Sequence, residues 1–146
     1  SVSVTALQMA QGYLTLLNNG VYKPLRLLRE QVNVEQRYER IFSERVCREV
    51  MGMMRDVVEE KDGTGKRARI EGVEVAGKTG TAQTGQFDAA GDELLNYWFS
   101  GFTPAQTPKY TITVLQDGVL EPETSSAALF AKIAEGLQVI EQPASD

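Results

Sequence analysis

Apolar residues recur at the three-to-four-residue spacing of an amphipathic helix in three parts of the chain. The first part follows Thr5, which forms a capping-box sequence with Gln8, and it ends at residues 18–20 (Asn-Asn-Gly), a typical C-terminal signal. The second begins at Ser43, and the third lies beyond Pro122. We expect the apolar side chains of these helices to fill the core, with the methionines of the second helix among them.

Between the second and third helices the pattern changes to the period of two that is typical of β-strands. Residues 73–82 alternate, residues 96–102 are rich in aromatic side chains, and residues 110–117 alternate again. Consecutive strands with short connections pair antiparallel. The order helix, helix, strand, strand, strand, helix therefore predicts an antiparallel sheet flanked by helices, of the α+β class. Residues 84–93, which include two glycines and two aspartates, are predicted to form a mobile surface loop.

The composition is that of one globular domain. The chain has 146 residues, of which 42% are hydrophobic and 24% charged, and it contains no repeat or linker that would divide it. We therefore expect residues 1–146 to form a single unit. The net charge of −5 argues against a nucleic-acid partner, which normally requires a basic surface. The short basic cluster of Lys66, Arg67 and Arg69 is interpreted as a solvated loop.

The residue inventory excludes several kinds of chemistry. The chain has no histidine, which removes histidine-based zinc sites and every Ser-His or Cys-His catalytic arrangement. Cys47 is the only cysteine, so it forms no internal disulfide, and we predict that it is a buried structural thiol. No metal ion and no cofactor are predicted. The sequence contains neither a signal peptide nor an apolar run long enough to span a membrane.

Two motifs overlap between residues 72 and 81. Residues 72–79 satisfy the written pattern of a phosphate-binding Walker A loop. Such a loop needs a buried strand before it and a helix that begins at its Lys-Thr pair. Here residues 66–71 are too polar for a buried strand, and the glycines of residues 80–85 oppose a helix. A nucleotide-binding protein is therefore kept only as a remote alternative.

The second motif is Lys78-Thr79-Gly80-Thr81, near the end of a predicted strand. Lys-Thr-Gly is one of three sequence signatures of penicillin-binding proteins and serine β-lactamases. The chain resembles the transpeptidase domain of penicillin-binding proteins, closest to the class B enzymes of cell division and sporulation. The matching segments occur in the family's order and comprise residues 4–10, 17–20 with Pro24, 63–65, 76–83, and 98–104 with 108–110. The resemblance implies the C-terminal portion of the penicillin-binding transpeptidase and serine β-lactamase-like fold.

The resemblance also implies a substrate and a role for each residue of the motif. In the family, a serine attacks a peptidoglycan stem peptide that ends in D-Ala-D-Ala, and β-lactams mimic this peptide. Lys78 would attract the substrate carboxylate and assist proton movement, and the hydroxyls of Thr79 and Thr81 would bind that carboxylate. Gly80 would let an extended peptide approach the strand. The backbone N–H of Thr81 would be one of two oxyanion donors.

The nucleophile of the family is not in this chain. No serine or threonine has a lysine three residues further on, and no Ser-x-Asn sequence occurs. We therefore expect the chain to be the C-terminal half of the domain and to form no acyl-enzyme alone. We also expect exposed apolar surface, covered by self-association or by a chain that holds the N-terminal half.

The resemblance places the parent protein at the extracytoplasmic face of the bacterial cytoplasmic membrane, attached through an N-terminal anchor outside this chain. A second function class remains open at this stage. The same strand would also serve a non-catalytic module that senses β-lactams or peptides without chemistry. The presence of the Ser-x-x-Lys segment in the parent sequence would favour the enzyme.

Overall fold

The computed structural model describes residues 3–28 and 37–141. Ser1 and Val2 lie outside this part. The element order agrees with the α+β prediction and adds a two-residue strand pair after the first helix. The elements are α1 (Ala6–Leu17), β1 (Val21–Tyr22), β2 (Glu39–Arg40), α2 (Glu44–Glu59), a 3-10 turn (Lys66–Ala68), β3 (Ala76–Phe87), β4 (Glu93–Thr103), β5 (Tyr110–Val119) and α3 (Ser126–Glu141).

The first two helices begin where their capping residues predict. The Thr5 side chain accepts a hydrogen bond from the Gln8 N–H, and the Thr5 N–H donates to Gln8 Oε1, which completes the capping box. Ser43 Oγ caps α2 by accepting from the Val46 N–H. After α1 the chain reverses through Asn19 and Gly20, which have positive φ angles of 56° and 83°. These capping predictions are confirmed.

The main sheet has three antiparallel strands in the order β3-β4-β5, so β3 lies at its edge among the described residues. In the register of β3 and β4, Lys78 lies opposite Ser100, and Thr81 lies opposite Tyr97. The predicted antiparallel sheet with flanking helices is therefore confirmed. Strand β3 begins at Ala76, three residues later than the predicted start at residue 73. Before it, Ile70 and Val73 form a separate bridge around a turn.

The predicted loop over residues 84–93 is wrong. Strand β3 continues to Phe87 and β4 begins at Glu93, so only residues 88–92 form the turn. The strands continue through this segment because a β-bulge shifts the register between Gln83 and Gln86. Within the bulge, Gly85 has a positive φ of 72°, and the Thr84 hydroxyl donates to the Leu94 carbonyl. The bulge keeps the hairpin paired despite a glycine that suggested a loop.

Two apolar clusters hold the helices to the sheet. In one, Phe99 of β4 meets Phe130 of α3 edge-to-face at a centroid distance of 4.9 Å, and Val58 of α2 joins them. In the other, Tyr13 of α1 packs on Phe102 of the sheet. Helix α2 contributes to both clusters and so links the two groups. The predicted burial of Cys47 is confirmed, because its side chain is fully enclosed.

The apolar stripe of α2 is only partly buried. Met54 packs against the core as expected, but Met53 is 65% exposed, so the prediction of core filling is wrong for Met53. Val46 of the same helix, and Ile41 and Phe42 just before it, are exposed as well. The described residues therefore include exposed apolar side chains in and just before α2.

Lys66, Arg67 and Arg69 are exposed, as the interpretation of a solvated loop expects, but Arg69 also has a structural role. Its guanidinium donates to the carbonyls of Val58, Glu59 and Glu60, at distances of 2.8, 2.9 and 2.6 Å. These groups lie at the C-terminus of α2, where carbonyls lack helical partners. Arg69 therefore caps α2 and ties the 3-10 turn to it.

Within residues 3–28 and 37–141, no helix is long and apolar enough to cross a membrane. The same residues contain no cluster of acidic or sulfur-bearing side chains with the number needed to hold a metal ion.

Candidate active-site strand

The structure places Lys78, Thr79, Gly80 and Thr81 consecutively in β3, on the edge of the sheet. The residues that follow continue as strand through Phe87, so no helix begins at the Lys-Thr pair. A phosphate-binding loop requires that helix, because its N-terminal N–H groups hold the phosphates. The nucleotide-binding alternative is therefore wrong.

The ammonium group of Lys78 reaches across to its neighbour. Lys78 Nζ donates to the Thr79 carbonyl at 2.9 Å and lies 3.3 Å from Thr79 Oγ1. Alternation along a strand would place the two side chains on opposite faces. Because no strand among the described residues pairs with the outer side of β3, the long lysine side chain bends around this edge. The edge position therefore brings the cation and the hydroxyl together.

A second hydroxyl joins this group from outside the strand. Thr64 Oγ1 lies 3.3 Å from Thr79 Oγ1, within hydrogen-bonding distance. Thr64 belongs to the turn between α2 and the 3-10 turn. Sequence reasoning recorded this position only as part of a motif match. Its contact joins residues 15 positions apart, which the local pattern could not indicate.

Two cavities flank β3. The larger, of about 710 Å³, lies toward α1 and is lined by Lys78, Gly80, Tyr13, Ser100 and Asp117, among others. The smaller, of about 240 Å³, lies toward α3 and is lined by Thr64, Arg67, Thr79, Thr81, Tyr97, Ser125 and Ser126, among others. The four motif residues thus form a ridge between two open spaces. Thr79, Gly80 and Thr81 line both cavities, whereas Lys78 lines only the larger one.

The glycines of the sheet differ in whether the surrounding packing leaves room for a side chain. A Cβ at Gly77 would lie 2.6 Å from the Phe99 ring, and one at Gly101 would lie 2.6 Å from the Ala76 carbonyl oxygen. Packing within the chain therefore excludes side chains at both positions. A Cβ at Gly80 would meet only Trp98 Cβ, at an ordinary 3.5 Å. Packing within the described structure therefore does not require glycine at position 80.

The larger cavity contains two hydroxyl groups that bear on its chemistry. Burial raises the pKa of Tyr13 to about 12, so its phenol stays protonated at neutral pH. Sequence reasoning treated Tyr13 only as part of an apolar helix face. Ser100 lies opposite Lys78 in the register, but it is buried and its hydroxyl donates to Thr113 Oγ1 at 3.1 Å. Because its hydroxyl is buried and hydrogen-bonded, we interpret Ser100 as a structural residue and not as a substitute for the family's serine nucleophile.

Comparison with known proteins agrees with this arrangement. A model of the penicillin-binding protein transpeptidase domain family matches residues 1–135. The chain belongs to this family. It is 37% identical over 160 residues to penicillin-binding protein PbpB of Mycolicibacterium smegmatis, covering 93% of this chain and 24% of that protein. It is 33% identical over 138 residues to the peptidoglycan D,D-transpeptidase FtsI of Escherichia coli K12, covering 92% of this chain and 23% of that protein.

Solved structures show the same fold. Penicillin-binding protein 3 of Mycobacterium tuberculosis, in complex with aztreonam, matches with a TM-score of 0.78 at 30% identity. The match covers 100% of this chain and 37% of that one. The TP domain of penicillin-binding protein 3 from Burkholderia pseudomallei matches with a TM-score of 0.77 at 25% identity, covering 98% of this chain and 44% of that one. The chain spans about a quarter of the length of the curated relatives it matches.

Proposed function

We propose that this chain is the C-terminal half of the catalytic domain of a peptidoglycan D,D-transpeptidase, and that β3 is its substrate-binding strand. The observation that carries the proposal is the exposed edge of β3, where Lys78 Nζ lies 3.3 Å from Thr79 Oγ1 between two cavities. The substrate class is a peptide that ends in a free carboxylate, as in D-Ala-D-Ala. β-Lactams would occupy the same site because they mimic that peptide.

The backbone of β3 suits a peptide added alongside it. In an antiparallel edge strand, alternate residues direct their N–H and C=O groups away from the neighbouring strand. The Thr79 carbonyl accepts from Lys78 Nζ at the open edge, so the Thr81 N–H, two residues on, is directed the same way. This N–H would donate to the oxyanion that forms when serine attacks the substrate. Loss of such a donor typically costs about 3–4 kcal/mol of transition-state stabilisation.

The side chains of the four motif residues have different proposed roles. The Thr79 and Thr81 hydroxyls line the smaller cavity, where they would bind the terminal carboxylate. Lys78 lines the larger cavity, where its positive charge would favour anionic substrate and assist proton transfer at the serine. Gly80 stands between them without a side chain, which leaves room for the ligand.

The serine nucleophile and its lysine base would come from the N-terminal half of the domain. That half would also cover exposed apolar side chains in and just before α2, which include Phe42, Val46 and Met53. When that half is absent, self-association would bury the same residues. Sedimentation of the isolated chain would test this, and a clean monomer without a partner would count against it. The parent protein would act at the extracytoplasmic face of the cytoplasmic membrane, where peptidoglycan is built.

The test uses a fluorescent penicillin and the full-length parent protein. We expect a covalent adduct on the full-length protein and none on the isolated 146-residue chain. Lys78→Ala in the full-length protein should slow adduct formation strongly. Lys132→Ala, which removes an exposed lysine from α3, should leave it unchanged. An adduct on the isolated chain, or equal labelling of both variants, would contradict the proposal. Release of D-alanine from a stem peptide would separate an enzyme from a penicillin sensor.

A further inference from the structure

The smaller cavity beside β3 contains one charged side chain, that of Arg67, among its lining residues. The other polar side chains of the lining are uncharged, and they include the hydroxyls of Thr64, Thr79 and Thr81. Within the described part of the chain, no aspartate or glutamate lines this space. The larger cavity differs, because Asp117 accompanies Lys78 there and offsets its charge. A ligand anion would therefore find the more favourable surroundings in the smaller cavity.

The guanidinium of Arg67 makes no hydrogen bond or ion pair with the residues that the structure describes. Two nearby arginines are engaged instead. Arg69 donates to the carbonyls that end α2, and Arg55 pairs with Glu74 at 2.6 Å. Lys66 precedes Arg67 in the same 3-10 turn but does not line the cavity. Arg67 is thus a cation at the cavity wall whose donors are not used by the fold.

The chemistry of Arg67 fits a carboxylate. A guanidinium presents N–H donors in a planar fork that matches the two oxygens of a carboxylate, and such charge-assisted bonds are among the strongest in proteins. Ser126 and Ala127, the first residues of α3, line the same space, and so does Ser125 just before the helix. The positive end of that 16-residue helix acts in the same direction as Arg67.

We propose that Arg67 is a specificity-determining residue of this site, which selects ligands with a free terminal carboxylate over their neutral counterparts. The inference rests on the proposed function, because it assigns Arg67 to the carboxylate end of the same ligand. In it, the hydroxyls of Thr79 and Thr81 hold the carboxylate from the strand, and Arg67 approaches the same group from the 3-10 turn.

The experiment compares benzylpenicillin with its methyl ester, which lacks the charge, on the full-length protein. Arg67→Ala should lower the second-order acylation rate constant for benzylpenicillin by about 10- to 100-fold, as expected for the loss of a charge-assisted contact. The loss should appear mainly in the apparent binding constant, and Arg67→Lys should restore part of it. The rate with the methyl ester should hardly change. Lys66→Ala, which removes the same charge one residue away, is the matched control and should behave as the wild type.

The outcomes separate this inference from the proposed function. If the wild type is acylated and Arg67→Ala reacts with benzylpenicillin as Lys66→Ala does, Arg67 has no role in selection and the transpeptidase proposal stands. Equal slowing with both ligands would also overturn the inference, since it would indicate a structural role. If Arg67→Ala does not fold, Arg67→Gln retains a polar side chain without the charge, and the same outcomes apply to it. A wild type that no penicillin acylates would overturn both proposals.

Discussion

Two glycines three residues apart on β3 give the sharpest test of the proposed site. Alanine at Gly77 would place its Cβ 2.6 Å from the Phe99 ring and 2.8 Å from the Ser100 carbonyl oxygen. Neither group moves easily, because Phe99 is fully buried against α3 and the carbonyl belongs to the central strand. Alanine at Gly80 would meet only Trp98 Cβ, at 3.5 Å. The same chemical change thus enters a filled space at one position and an open one at the other.

The two substitutions should change the stability of the fold in different directions. Overpacking of a well-filled core costs about 1–3 kcal/mol, and a domain of this size loses about 2–4 °C in Tm per kcal/mol. Gly77→Ala should therefore lower the Tm by roughly 2–12 °C. Where no strain opposes it, Gly→Ala stabilises by about 0.4–1 kcal/mol because it restricts the unfolded chain. Gly80→Ala should therefore leave the Tm unchanged or slightly raised.

For the acylation rate we expect the reverse, with the larger loss from the substitution at position 80. The methyl group at position 80 would enter the space that the ligand needs beside Lys78, and displacing a reacting group by about 1 Å costs up to about 100-fold in rate. We expect Gly80→Ala to slow labelling of the full-length protein by fluorescent penicillin by about 10- to 100-fold. Gly77→Ala should label normally at temperatures where it stays folded. If Gly80→Ala lowered the Tm as Gly77→Ala does, or labelled as fast as the wild type, glycine at position 80 would have no ligand-related role.

Three further predictions concern stability. Arg69→Ala leaves the last carbonyls of α2 without their donor and should cost about 1–3 kcal/mol in chemical denaturation, with Arg69→Lys recovering only part. Thr5→Ala removes the cap of α1 and should cost about 0.5–2 kcal/mol, whereas Thr5→Ser should retain most of the stability. The hydrogen bond from Arg55 lowers the pKa of Glu74, so this pair stabilises the fold above the ordinary glutamate pKa. Its contribution should vanish as the pH falls through the lowered value, and Glu74→Gln should remove that part of the pH dependence.

The elements of the fold could be predicted from sequence where the signal is local. Thr5 and Ser43 begin their helices because each cap bonds to a backbone N–H only three residues away. The alternation around Lys78 predicted a strand because side-chain period depends on the strand alone. The full length of β3 could not be predicted, since the bulge at Gly85 depends on its pairing with Glu93 and Leu94 across the hairpin.

Because only local signals can be read from sequence, only part of the candidate site could be predicted. Residues 78–81 are consecutive, so one motif contains them all. Thr64, Arg67 and Tyr13 reach the two cavities from other elements, and nothing in their local patterns indicates that approach. Met53 shows why burial was only partly predictable. The apolar stripe of a helix identifies its apolar residues, but it does not show which of them a neighbouring element covers.

The free edge of β3 has a consequence for how the protein behaves in concentrated solution. An unpaired row of backbone donors and acceptors serves as a template for any extended chain, and a second copy of this molecule offers one of its own. A peptide mimic bound as proposed would therefore compete with edge-to-edge dimerisation for the same hydrogen-bonding groups. Saturation with such a ligand should keep the sheet from growing across molecules and so reduce aggregation.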